Sequence, residues 1–564
     1  METVAPPAPA PPAALASADG GSLPRLDGRP QLFTAQGALW AAIAFGIAFR
    51  MLQYAANRSL WLDEALVVPS IGQGWRQVLM PSGLSPVAPG WLALEKVVSA
   101  VLGTSELALR LVPLLAGVGG LLLFAAIARR ILAPGGAAAA TAAFAVSPYL
   151  VYYSSELKPY STDVLAALVL TWWALALRAR GMTPLRAVGL ALGALAVVYC
   201  SLPAAFVLAG VVIALLAAYL RAGERRNAAI LGAVCAFWAL AFLPPLLMVV
   251  GHAHALASQA ADYAHAFWNQ GFMPLPPRSE QDVLWFPHTF LNYFRDPLGT
   301  MTVETSSEGF WQAAAGIVAF VAGALALRGE RRFALGALLL PIGVALLASG
   351  LRLYPFGGNW VTGGRVVLYL APSFLLLMGA GVDGLRTGLP GTMRPLAWAL
   401  LAVLLVPSIA QLVTTFPTGR AEIKPLLAYV RANRQPGDLT YVHYDAKYAF
   451  AYYGPRMGFT PGEVVPGICA RLDPEKYVGA MGRLKGRGRV WVLFTNGDGA
   501  HSFQERQLML DVLNHLGRRL DDQVAVGASV YLYDLSAPPA DPSPFSPRLP
   551  RYPESVEHGC ALWQ

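Results

Sequence analysis

The chain has 564 residues, 55% of them hydrophobic and 13% charged. Soluble domains carry about 25% charged residues, so this composition, with a mean hydropathy of +0.48, excludes an ordinary water-soluble enzyme. The 55 Gly and 44 Pro follow no period and there are only 4 Cys, which excludes collagen-like and disulfide-framework proteins. The net charge of +9 is read first as membrane topology, not as affinity for nucleic acid.

Residues 1–35 are rich in Ala and Pro and are expected to form a disordered cytoplasmic tail. The first apolar stretch begins near residue 36, too far along for a cleaved signal peptide. Apolar runs then recur at 36–56, 107–128, 134–152, 161–178, 186–201, 203–220, 228–250, 308–328, 333–350, 364–382 and 395–414. They predict a polytopic α-helical membrane protein of about 11 transmembrane helices. A further segment, 87–102, is short and carries Glu95 and Lys96. Charge argues against its crossing. Five connectors are basic: Arg129-Arg130; Arg178, Arg180 and Arg186; Arg221, Arg225 and Arg226; Arg328, Arg331 and Arg332; Arg386 and Arg394. Successive basic connectors are two spans apart, so all five face the cytoplasm together. A crossing at 87–102 would turn every one of them outward. The segment is therefore expected as an interfacial, juxtamembrane amphipathic helix in the first outer loop.

The outer face then receives 57–106, 153–160, Leu202-Pro203, 251–307, 351–363 and everything after 415. That last region is far more polar. It reads as a helix at Ala421–Arg434, strands at Leu439–His443, Arg489–Thr495 (before a turn at Asn496-Gly497) and Ala528–Leu535, and a helix at Phe503–Leu516 ended by Gly517. The expected organisation is a transmembrane catalytic domain over 36–415, a small periplasmic α/β domain over 416–536, and a Pro-rich extended tail over 537–564. Cys200 and Cys235 fall within spans as small apolar residues. Cys469 and Cys560 both fall outside, where an oxidising compartment would let them pair. No Cys/His spacing resembles a zinc site.

Charged groups beside apolar spans are costly and are functional candidates by default. The outer face has two such clusters. The first, Asn57-Arg58-Ser59-Leu60-Trp61-Leu62-Asp63-Glu64-Ala65, sets two adjacent carboxylates just beyond the first span. One can act as a base and the other can orient a metal or a hydroxyl, although an isolated Asp-Glu is more often a solvated pair or a helix cap. The second, Ser147–Tyr160, combines Glu156, Lys158 and several tyrosines. Lys158 can bind phosphate as a point charge. A snorkelling lysine in an aromatic belt is the structural alternative. The loop 251–307 holds His252, His254, His265, His288, Asp262, Asp282, Arg295 and Asp296 among aromatics. Its position suggests a cover that selects the acceptor, and a plain structured loop accounts for it as well.

Together these residues resemble the polyprenyl-phosphate-sugar-dependent glycosyltransferases of the GT-C superfamily. That superfamily includes the protein O-mannosyltransferases, the lipid A aminoarabinose transferases and the RgtA/B/C/D-like bacterial enzymes. Leu-Trp-Leu-Asp-Glu-Ala after the first span looks like their first outer-loop motif, and Ser-Glu-Leu-Lys-Pro-Tyr (Ser155–Tyr160) like the second, with Lys158 where Arg is usual. Gly103–Arg110 matches the lead-in to the second span, and Arg365, after Tyr354-Pro355-Phe356-Gly357-Gly358, matches a late outer-loop arginine. The family's Pro-Pro before the juxtamembrane helix reads Ser85-Pro86-Val87-Ala88-Pro89 here.

The resemblance implies an inverting transfer of a sugar from a polyprenyl-phosphate donor to an envelope lipid, glycan or protein. Asp63 would be the base. Glu64 and Glu156 would position acceptor, sugar or a divalent cation. Lys158, Tyr160 and Arg365 would bind the donor phosphate. Family members differ in metal dependence; an ion held by Asp63 and Glu156 would be Mg²⁺ or Mn²⁺. Membrane lipids are expected partners and nucleic acid is not. The Ala, Gly and Arg content fits a GC-rich bacterium, hence an inner membrane with the site facing the periplasm. The rival class is a lipid-linked sugar transporter or flippase, which should show internal repeats and polar residues at mid-membrane. No clear repeat is present, and the acidic clusters lie at one surface.

Overall fold

The computed structural model describes residues 35–80, 87–255, 268–301, 307–357, 364–495, 500–536, 549–550 and 560. The expectations for residues 1–34, Ser85-Pro86, Asp262, His265, Asn496-Gly497 and most of the Pro-rich tail, and for the side chains of His252 and His254, lie outside these residues. Every apolar run named above is helical. Eight helices among the described residues are long and apolar enough to cross a membrane, while Pro134–Val146 and Pro184–Cys200 are apolar but shorter. Their packing builds one apolar core, with Phe124, Phe144, Leu168, Phe374 and Leu376 all but fully buried.

Two departures from simple hydropathy shape the outer face. The run 134–152 does not continue as one helix. It stops at Val146, because Pro148 has no N–H for a continuing helix and its ring would clash with the preceding turn. Ser147 caps a new short helix, Pro148–Tyr152, by accepting the Leu150 N–H, and a 3-10 turn Tyr153–Ser155 follows. The chain is thereby folded back, so that 149–160 stands at the mouth of the bundle. The second departure is Pro89–Leu102, which buries Gly90, Trp91, Leu92 and Glu95 and leaves Leu94, Val97, Val101 and Leu102 exposed. This is the amphipathic helix expected for 87–102. Lys96 anchors it by donating to the carbonyls of Ile71 and Gln73.

The C-terminal region contains a five-stranded sheet of order β2-β1-β3-β5-β4, with β1 Leu439–Val442, β2 Val464–Pro466, β3 Arg489–Thr495, β4 Arg518–Ala525 and β5 Ala528–Asp534. β1 runs parallel to β2 and β3, and β5 runs antiparallel to β3 and β4. Along β3, alternate residues serve two different cores. Val490, Val492 and Phe494 pack with Tyr477, Met481, Met509 and Leu513 inside the domain. Trp491 and Leu493 pack with Leu427 and Val430, and also with Leu60, Val67, Trp91, Leu109 and Leu157 of the outer loops. One face of the sheet thus shares a hydrophobic core with the membrane domain. β2 and β4 were not expected. β4 is the exposed edge, rich in charge, and shows no apolar alternation.

Cys469 and Cys560 form a disulfide that closes a 91-residue separation. Replacing Cys560 with Ser should cost the C-terminal domain about 2–5 kcal/mol, read as a lower thermal midpoint in detergent. An unchanged midpoint would show that the crosslink does not stabilise the domain.

Candidate active site

The first outer loop begins where the helix Ala35–Ala55 ends. Asn57 takes a positive φ of 47°, a conformation Asn tolerates better than most residues, and the chain turns into the short helix Leu62–Ala65. Within that helix the two adjacent acids diverge. Glu64 is fully buried and its carboxylate faces Arg110, with contacts of 2.6 and 2.8 Å. The same carboxylate accepts the N–H groups of Leu157 at 2.8 Å and Trp61 at 3.3 Å. Arg110 spends its other donors on the carbonyls of Arg58 and Ser59. The acceptor- or metal-orienting role expected for Glu64 therefore meets a carboxylate whose hydrogen bonds are used inside the protein. They join the first outer loop, the start of the second span and the 156–160 turn.

Asp63 remains 20% exposed, and its Oδ2 lies 3.1 Å from Arg365 Nη2. Burial pushes its carboxyl up, but Arg365, Lys158 and Arg420 together bring it below the ordinary carboxylate value. Arg365 sits on the 3-10 segment Gly364–Leu370, its guanidinium 5.7 Å from the Trp61 ring centre. Its Nε and Nη1 are buried and have no hydrogen-bond partner, as is the Trp61 indole nitrogen. Glu156 is fully buried and both its oxygens lack a partner. Burial pushes Glu156 up and Arg420 pulls it down, while Glu64 adds repulsion, for a net shift upward. Tyr160 opens the helix Tyr160–Arg180 and packs its ring 4.9 Å from that of Tyr153. Asp63, Glu156, Lys158, Tyr160 and Arg365 are thus brought together, from four separate stretches of chain if Glu64 and Arg110 are counted with them.

Three residues not singled out from the sequence complete the cluster. Trp61 lies beneath both Arg365 and Arg420. Asp296, earlier one of many polar residues in a long loop, accepts the Gly364 N–H at 3.4 Å through Oδ2, while its Oδ1 is buried without a partner. Burial pushes its carboxyl to about 6. A side chain at Gly364 would meet the Asp296 carboxylate at 2.2 Å, so only glycine lets the segment bearing Arg365 pass this close. Arg420 comes from beyond the last span. His288 and Asp282 lie on Glu280–Arg295, and nothing in the structure brings them to Asp63.

Asp63 and Glu156 are the residues a divalent ion would use. Among the described residues, no group of three or more His, Cys, Asp or Glu is placed to hold one, and Asp63 is already paired with Arg365. The protein alone therefore offers no closed cage for an ion; a Mg²⁺ bound here would take Glu156, waters and the donor phosphate as ligands.

With this geometry the chain can be set beside known proteins. It resembles the Archaeoglobus fulgidus oligosaccharyltransferase in its apo form, with a TM-score of 0.50 and 13% identity, over 91% of this chain and 76% of that one. The same enzyme in complex with Zn and sulfate matches at 0.50 and 14%, over 88% and 72%. ArnT from Cupriavidus metallidurans bound to undecaprenyl phosphate matches at 0.47 and 13%, over 88% and 97%. No family model matches the chain, and no curated protein matches it in sequence. At 13–14% identity the likeness is one of fold, and it singles out no branch of the superfamily that the motifs resemble.

Glu64→Ala would leave the Arg110 guanidinium buried without a counter-charge, at a cost of about 3–5 kcal/mol. The thermal midpoint should fall sharply, and a second change, Arg110→Leu, should recover part of the loss. A midpoint unchanged in Glu64→Ala would show that this pair does not organise the loop.

Proposed function

We propose that the protein is an inverting glycosyltransferase that moves a sugar from a polyprenyl-phosphate donor to an envelope lipid, glycan or protein. It would act at the periplasmic face of a bacterial inner membrane. The observation that carries this reading is the Asp63–Arg365 pair at the bundle mouth. It holds an ionised carboxylate beside a guanidinium that still has two buried nitrogens, Nε and Nη1, without acceptors. Buried donors of this kind are costly unless something accepts from them, and a phosphate diester supplies the oxygens. The fold shared with an oligosaccharyltransferase supports the same reading.

The chemistry follows from the charges. The leaving group is a phosphate, which needs cations and not a general acid. Arg365 and Lys158 provide them, with the Tyr160 ring flanking the phosphate. The acceptor hydroxyl attacks the anomeric carbon as the C–O bond to phosphate breaks. Asp63 takes the hydroxyl proton, and polyprenyl phosphate departs with the bonding pair. Attack opposite the leaving group inverts the anomeric carbon. Asp63 is a weak base, which suits a transition state in which the sugar is already oxocarbenium-like and the hydroxyl acidifies late. Glu156, with both oxygens free, accepts hydrogen bonds from sugar or acceptor hydroxyls. Glu64 acts as a positioning residue through Arg110 and the Leu157 N–H.

Purified protein in lipid, given a panel of radiolabelled polyprenyl-phosphate sugars and a membrane extract, should move label into an acceptor. Asp63→Asn should lower the turnover by roughly 10²–10⁴-fold. Label that crosses a vesicle bilayer with no donor consumed would replace this reading with a transporter. The rate should fall as pH drops through the Asp63 pKa, at a pH below the usual carboxylate range. Lys158→Ala removes one of the cations that lower that pKa, so the acidic limb should move to higher pH; an unmoved limb would mean that a different group is the base.

A further inference from the structure

The cation over Trp61 that does not come from the membrane domain is Arg420. After the last span, Arg394–Thr415, the chain crosses the face of the site before entering the helix Ile423–Asn433. This strap is fastened along its length. Gln53 exchanges two hydrogen bonds with Thr418, at 2.7 and 3.0 Å. Glu422 accepts the Ser59 N–H and hydroxyl, at 3.0 and 2.9 Å. Lys424 pairs with Glu106 at 2.8 Å. The tip of the β4–β5 hairpin presses on the strap from outside. Val526 O accepts the Glu422 N–H, and a side chain at Gly527 (φ 60°) would fall 1.7 Å from Arg420 O.

The backbone so held aims one side chain inward. The Arg420 guanidinium stands 4.5 Å from the Trp61 ring centre and 5.1 Å from that of Tyr152. It donates to the Tyr153 hydroxyl at 3.3 Å. It is partly buried, and among the described residues no carboxylate lies within ion-pair distance of it. Arg365, by contrast, is partly neutralised by Asp63. Both carboxylate oxygens of Glu156, whose charge Arg420 offsets, lack a hydrogen-bond partner.

The charge of the reaction needs such a group. A polyprenyl-phosphate sugar is a phosphodiester with one negative charge. When its anomeric C–O bond breaks, the bonding pair goes to the phosphate, which leaves as a monoester with up to two. A cation that matters more at bond breaking than at binding accelerates the chemical step. Building on the transferase reading, we propose that Arg420 is the second guanidinium of the donor-phosphate site, carried there by the C-terminal domain. It binds the phosphate monoester that forms as the sugar leaves. The C-terminal domain is then part of the active site, and the strap is what holds its contribution in register.

The test uses the full-length protein in nanodiscs, with ³H-undecaprenyl phosphate as probe, no sugar and no acceptor. Arg420→Gln should weaken binding of this monoester roughly ten- to hundredfold, the scale of one charge-assisted hydrogen bond, while Arg420→Lys recovers part of it. In transfer assays the Gln variant should lose kcat more than it raises KM. Binding and kcat equal to wild type in Arg420→Gln would overturn the proposal. A variant that misfolds does not end the matter. In wild-type protein, undecaprenyl phosphate should protect Arg420 from phenylglyoxal, read by peptide mass spectrometry, and an unprotected Arg420 would overturn the proposal as well. If the monoester binds through Arg420 but no sugar is transferred from any donor, the transferase reading fails and the anion site stands. If transfer proceeds and depends on Asp63 but not on Arg420, this inference alone fails.

Discussion

A single buried ion pair, Glu64 with Arg110, sets the geometry on which the rest of the outer face depends. In a low-dielectric interior such a pair tolerates no missing partner. Its satisfaction here draws in the backbone of residues 58, 59, 61 and 157. The adjacent Asp63 is thereby held on a rigid one-turn helix facing the bundle mouth, and Glu156 is held one residue from a fixed amide. Two neighbouring carboxylates thus sit differently, because one is fully buried against Arg110 and the other, partly exposed, pairs with Arg365.

Charge balance at the mouth is deliberately incomplete on both sides. Donors on Arg365 and Trp61 lack acceptors, and both oxygens of Glu156 and one of Asp296 lack donors. Buried polar groups in proteins are almost always satisfied, so a site that concentrates both kinds of deficit is prepared for a ligand with both kinds of group. A sugar phosphate has hydroxyls to give and phosphate oxygens to accept. The cations on the aromatic faces of Trp61 and Tyr152 hold positive charge close together at a tolerable cost, since ring faces attract it.

Much of this was legible in the sequence, for reasons that can be traced to particular residues. Apolar runs and arginine-rich connectors are properties of composition, so the apolar helices and the amphipathic helix at 87–102 could be read directly. Asp63, Glu156 and Lys158 could be gathered because each lies just outside a span, and Arg365 because it is the second residue of one, where charge is conspicuous. The break at Ser147-Pro148 carried its own signal, a cap residue followed by proline, inside a run that hydropathy alone joined together. β4 showed none: an edge strand exposed on both faces has no period to detect. Arg420 was hidden for a different reason. It is one arginine in Pro-Thr-Gly-Arg, and its hydrogen-bond partner Tyr153 lies 267 residues away. Glu64 and Arg110 were both seen, but only the folded chain makes them a pair.

The core shared between β3 and the first outer loop has a consequence for how the protein is made. Residue 422 bonds to residue 59 across 363 positions of sequence, and Trp491 packs in the same cluster as Leu60. During synthesis from the N terminus, the loop bearing Asp63 emerges first and its packing partners emerge last. Until then Leu60, Val67 and Trp91 have no sheet to cover them, and the mouth lacks the strap. A partly made chain therefore has the acid but not the enclosed pocket. The mouth is complete only once the strap and the sheet have been made.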